Sequence, residues 1–155
     1  MNKIYEQDFN LWQETTAKLI RERKFDEVDW DNLLAELEDM GKSEKRAFTS
    51  NLMILIAHLL KLKVQWDAPD TMKESWYNSV IEHRVRVKKQ LRENPSFNNY
   101  FHEAIKDVYT DARKIAIKQG KLASKNVRKP NENEYPMDCP FTIEQLLDDD
   151  DFGDC

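Results

Sequence analysis

Apolar residues recur at steps of three and four along most of the chain, the spacing of one face of an α-helix. From about Ile4 to Lys24, one such stripe is made by Tyr5, Phe9, Trp12, Thr16, Leu19 and Ile20. Phe25 leads into an acidic turn where Asp29 is a suitable N-cap, because its carboxylate can accept a free backbone N–H of the next turn. Trp30, Leu33, Leu37 and Met40 then predict a second helix, with Gly41 as its stop and Ser43 capping a third. That third helix, about Glu44 to Gln65, is the most apolar. Phe48, Leu52, Leu55, Leu59 and Leu62 form its seam and Met53, Ile56 and Leu60 widen it, so it belongs at the centre of the fold. Thr71 and Glu74 have the spacing of a capping box for a fourth helix, which runs to about Glu93 with Trp76, Val80, Val87 and Leu91 as its stripe. After Asn94-Pro95-Ser96 a fifth helix uses Phe97, Phe101, Ile105, Val108, Ala112 and Ile115, and Gly120 is its expected end. The stretch 121–134 has no apolar period and reads as a linker, and Thr142 to Gln145 form a second capping box for one short helical turn.

These elements predict an all-α fold, an up-and-down helical bundle of four to five helices with a short C-terminal helical turn. Three Gly and five Pro are too few for the turns of a sheet. Residues 1–120 are expected to form the bundle domain and 121–155 a linker and acidic tail, part of it packed back on the bundle. Mean hydropathy is −0.80 and charged residues make up 34%. Leu, Ile, Val and Phe still number 37 of 155, about 24%, above the roughly 20% below which chains stay disordered.

Charge divides the chain into blocks. Residues 1–60 carry 8 basic and 12 acidic side chains, 61–129 carry 16 and 8, and 130–155 carry 0 and 9. The longest uncharged run, 47–60, is too short for a bilayer span, and Cys139 and Cys155 could close only a tail. A reduced cytoplasmic protein with no membrane segment is the expectation.

Several short stretches occur together in one order: Tyr5-Glu6-Gln7-Asp8-Phe9 with Trp12, Phe25-Asp26-Glu27, Asp29-Trp30-Asp31-Asn32-Leu33 and Glu36 to Glu44. Ala57-His58-Leu59-Leu60-Lys61, Ser75-Trp76, Arg84, Pro95-Ser96, Cys139-Pro140-Phe141 and Glu144 to Leu147 follow. The chain thereby resembles, over nearly its whole length, the bacterial and largely cyanobacterial family known as domain of unknown function 29. Ala35 and His83 depart from that pattern, which more usually has Glu and Gln there. The resemblance implies a small cytosolic helical bundle and brings no activity with it.

Recognisable chemistry is sparse. Glycine stands only at 41, 120 and 153, so no phosphate-cradling loop can be written, and neither a Gly-x-Ser-x-Gly elbow nor His-Glu-x-x-His is present. His58, His83 and His102 fall on three predicted helices and are the candidates for a divalent metal, although isolated core histidines explain them more simply. A polar line of Asn51, His58, Lys61 and Gln65 borders the core seam. If the second and third helices are antiparallel through the Gly41–Ser43 turn, Glu36 or Asp39 could hydrogen-bond His58, with Lys61 and Arg84 completing a polar cluster. Such a cluster would serve acid–base chemistry or fix helix register. Residues 82–92 hold five basic side chains, and Arg84, Lys88 and Arg92 would line a basic surface able to track phosphates.

The reading that follows is a protein–protein interaction or accessory module without catalysis, partnered by another protein or a second copy, with no cofactor expected. The alternatives are an enzyme or metal-binding bundle built on Glu36, His58, His83 and Arg84, and nucleic-acid binding through 82–92. The stretch from Cys139 to Leu147 is expected to pack on the bundle and Asp149 onward to be mobile.

Overall fold

The structure is a computed structural model that describes residues 3–122 and 126–153. Among these residues are six α-helices, two 3-10 turns and no strand: α1 (Lys3–Gln7), α2 (Phe9–Arg21), α3 (Trp30–Val64), α4 (Asp70–Glu93), α5 (Phe97–Gly120) and α6 (Ile143–Leu147). The all-α helical bundle expected from the pattern is the fold. The chain divides into two compact units, residues 1–45 and 46–155, with α3 beginning in the first and ending in the second.

Three boundaries differ from the sequence reading. The first helix is broken at Asp8, whose carboxylate accepts the Leu11 N–H at 2.9 Å and so caps α2. A local side-chain acceptor competes with helix continuity at such a site. The stop expected at Gly41 is absent, and α3 is one helix of 35 residues. Gly41 has no positive φ and open space where a Cβ would stand. A helical Gly costs about 1 kcal/mol relative to Ala, less than breaking the backbone ladder between Met40 and the good helix formers Lys45, Arg46 and Ala47. α4 starts at Asp70 after Pro69 without a side-chain cap, not with the capping box expected at Thr71. The boxes' second member is present: Thr142 and Gln145 cap α6 reciprocally.

The first unit has a small interior. Trp12, Thr16 and Val28 are buried, and Tyr5, Phe9 and Trp12 form a ring cluster with centroids 4.9–5.8 Å apart. Asp29 caps α3 as predicted, accepting from the Asn32 backbone and side chain.

The core of the second unit is centred on α3 from Phe48 to Val64. Phe48, Leu52, Leu55, Ile56, Leu59 and Leu60 are fully buried among Val80 and Val87 of α4 and Phe101, Ala104 and Ala112 of α5. Phe48 meets the ring of Phe101 edge-on at 5.5 Å. By length and composition α3 contains a window apolar enough to cross a membrane, 56% of it buried within the protein in the manner of a core helix. Gly120 is the last residue of α5, and a Cβ there would come within 2.6 Å of the Tyr135 hydroxyl, so the position needs glycine for space and not for left-handed geometry.

The segment after α5 is anchored, which corrects the linker reading for its described part. Arg128 donates to both carboxylate oxygens of Asp67 (2.7 and 3.1 Å), to Glu134 at 2.6 Å and to the Val64 carbonyl at 2.8 Å. The Arg128 bonds hold the pKa of Asp67 below the ordinary carboxylate range, and the Asn131 backbone N–H, with Arg128 second, does the same for Glu134. Polar anchoring of this kind leaves no apolar period to detect.

Candidate functional site

Polar side chains gather in the second unit where α3, α4 and the C-terminal segment meet. His58 on α3 donates Nδ1–H to the Ile54 carbonyl at 2.9 Å, and His83 on α4 donates its own to the Ser79 carbonyl at 2.8 Å. The Ser79 hydroxyl stands 3.3 Å from the first Nδ1 and 3.2 Å from the second, so it bridges the two imidazoles. Helical geometry produces this naturally, because a His reaches the carbonyl four residues before it and Ser79 is that residue for His83. Burial lowers the pKa of His58, partly offset by its backbone hydrogen bond.

One turn further along α3, Lys61 is buried. Its ammonium donates to the Gln119 amide oxygen at 2.5 Å and lies 5.0 Å from the centre of the Trp76 ring. Burial without a carboxylate pushes its pKa down to about 8. A ring face and an amide oxygen stabilise a cation, though less than water does.

Arg84 is the most enclosed charge, 1% exposed. Its Nε donates to the Leu146 carbonyl at 2.8 Å and its Nη2 to the carbonyls of Asp151 at 2.6 Å and Gln145 at 3.3 Å. The guanidinium also sits 5.7 Å from the Phe152 ring centre, while Nη1 is buried without a hydrogen-bond partner among the described residues. Burial lowers its pKa and the charges of Asp151, Asp149 and Asp148 oppose that shift. Arg84 is therefore a clamp on the backbone of the C-terminal segment.

The expected docking of 139–147 is present, with Phe141 and Leu146 buried. The expected mobility from Asp149 is corrected over 149–153. Asp149 pairs with Lys88 at 3.1 Å, Phe152 meets the Tyr77 ring at 5.1 Å, and Gly153 fits where a Cβ would lie 3.0 Å from the Leu59 carbonyl. Its φ of +83° and the close approach both require glycine. Cys155 lies outside the described residues.

The predicted site residues separate into four places. Glu36 and Asp39 lie in the first unit, where Glu36 accepts the Tyr5 hydroxyl at 2.5 Å and raises its pKa. The antiparallel turn expected to bring them to His58 is continuous helix, and His58 donates to the Ile54 carbonyl and lies beside the Ser79 hydroxyl instead. His58, Lys61, His83 and Arg84 share the polar region just described. His102 belongs to a separate cleft of about 530 Å³ on α5, lined also by Tyr109, Met137, Cys139, Phe141 and Ile143. Among the described residues no group of three or more His, Cys, Asp or Glu could hold a metal ion. The basic surface loses Arg84 to the interior and half of Lys88 to Asp149, leaving Arg92 exposed. Sequence reasoning missed Ser79 and Gln119, whose only signal was a position four residues before a His and a polar residue near the end of a core helix.

The first unit carries a different feature. No residue from 31 to 45 is buried, yet Trp30, Leu34, Leu37 and Met40 follow one another along α3 at steps of three and four and are 50–64% exposed. Single exposed apolar side chains are ordinary, but a contiguous stripe on one helix marks an interaction surface.

The profile of the family described as "Domain of unknown function DUF29" matches residues 4–152, nearly the whole chain, and the chain belongs to that family. No curated protein and no solved structure matches it.

Proposed function

We propose that this member of the DUF29 family is a cytoplasmic interaction module without a catalytic step, and that its working surface is the apolar stripe on the first half of α3. The observation that carries this reading is the uncovered stripe itself. A helical segment with no fully buried residue gains little from tertiary packing, and isolated helices shorter than about 12–15 residues are marginal in water. A partner laid along Trp30, Leu34, Leu37 and Met40 would remove that apolar area from water and stabilise the helix beneath it. The enzyme reading has less support. His58, His83 and Arg84 direct their hydrogen bonds to backbone carbonyls and a hydroxyl, which is the work of a structural network, and the cleft on α5 is lined by other residues.

The test is a photo-crosslinking side chain placed at Leu37 in the living cell, with one at exposed Lys114 as control. A discrete protein adduct from position 37, lost when Leu34→Glu is added, is the expected result. Equal labelling from the two positions, or none from 37, contradicts the reading.

A further inference from the structure

Two exposed strips of opposite charge, one in each unit, each follow one helix face at steps of three and four. The first is the stripe of α3. From Asp26 to Asp39 the chain has seven carboxylates and no cation, so its apolar residues are bordered by Asp31 and Glu38 on the solvent side. The second lies on α4, where Ile81, Val85, Lys89 and Arg92 follow at steps of four, four and three on one face. Ile81 is 50% and Val85 57% exposed, and Lys89 and Arg92 are exposed beside them. Lys89 has an exposed partner in Glu93 at 3.8 Å, a pairing of little strength in water.

We propose that the acidic apolar stripe of one copy docks on the basic apolar strip of α4 of a second copy, so that the chain is its own partner. This rests on the interaction reading above and supplies the occupant. Charge selects the pairing: stripe against stripe would oppose carboxylates, and strip against strip would oppose cations, whereas stripe against strip brings unlike signs together around apolar residues on both sides. The apolar contact supplies affinity, and the charged rims fix direction and speed the encounter. Every copy carries both surfaces, so two copies that make the contact reciprocally form a dimer.

Light scattering on the purified full-length chain tests it. The expected mass is close to twice 18.5 kDa. Leu34→Glu with Leu37→Glu, Lys89→Glu with Arg92→Glu, and Asp31→Lys with Glu38→Lys should each return the mass to that of one chain. All six side chains are exposed, so the core helices should persist in every variant, and any loss of helix on losing the contact should be confined to the first half of α3. Combining Asp31→Lys and Glu38→Lys with Lys89→Glu and Arg92→Glu in one chain reverses both signs and should restore the dimer. A wild type that is monomeric up to its solubility limit, a dimer indifferent to these variants, or a fourfold variant that stays monomeric overturns the pairing. Should the wild type be monomeric while Leu37 crosslinks in cells to a different protein, self-association fails and the interaction reading stands. With no adduct from Leu37, both fail.

Discussion

The two halves of α3 belong to one continuous helix and end in opposite environments. From 31 to 45 nothing is buried, while from Phe48 to Val64 ten residues are. Both halves have apolar residues at steps of three and four, so periodicity alone does not separate them. Width does. The second half adds Ile56, Ala57 and Leu60 around the Leu52–Leu55–Leu59 seam and so touches both α4 and α5. The first half keeps a single stripe between carboxylates, enough for one neighbour and no more.

The sharpest way to break the comparison is to cut the same side chain from each half. Leu55→Ala removes a fully buried Leu and should cost about 2–5 kcal/mol in denaturant unfolding. Leu37→Ala, 57% exposed, should cost less than about 0.5 kcal/mol under conditions where the chain is dilute. Equal costs would mean that the first half is packed as tightly as the second.

The Arg84 clamp comes next. Arg84→Met removes hydrogen bonds to three carbonyls and should destabilise by roughly 3 kcal/mol. The loss should appear first as faster proteolysis after Cys139, and a variant whose tail remains protected would remove the clamp from the account.

Arg84 also shows what was legible in the sequence. The helices, the all-α class and the centrality of 48–64 followed from spacing and caps, which are local, and the docking of 139–147 from opposed charge blocks and the apolar anchors Phe141, Leu146, Leu147 and Phe152. The inward turn of Arg84 was not legible, because α4 has basic residues all along 84–92 and only the arrival of a segment some sixty residues later selects which one is buried. The same holds for Arg128 and Asp67, joined across 61 positions. Gly41 failed for a different reason: a stop signal is a local preference of about 1 kcal/mol, and the surrounding helix outweighs it.

Lys61 gives a smaller, pH-dependent effect confined to the second unit. Its amine is protonated at pH 7 in both states. Between about pH 8 and 10 the unfolded chain, with an ordinary lysine pKa of about 10.4, binds the proton that the folded one has released, so stability should rise with pH. The expected gain is on the order of 2 kcal/mol. Lys61→Met should abolish the rise, and an identical pH profile in wild type and variant would contradict the burial of that charge.

Smallest is Gly41→Ala. The site is helical with open space for a Cβ, so the variant should stabilise the first half of α3 by about 1 kcal/mol and leave the core untouched. A destabilised variant would show that the helix bends or stops at 41 after all.

Amide hydrogen exchange along α3, read at low and high protein concentration, addresses the docking surface most directly. Amides from 48 to 64 should be strongly protected at every concentration. Those from 31 to 45 should exchange quickly in dilute protein and become protected as the concentration rises, with Leu34→Glu cancelling the change. Protection of 31–45 equal to that of the core in dilute solution, or fast exchange that concentration does not slow, would contradict the account.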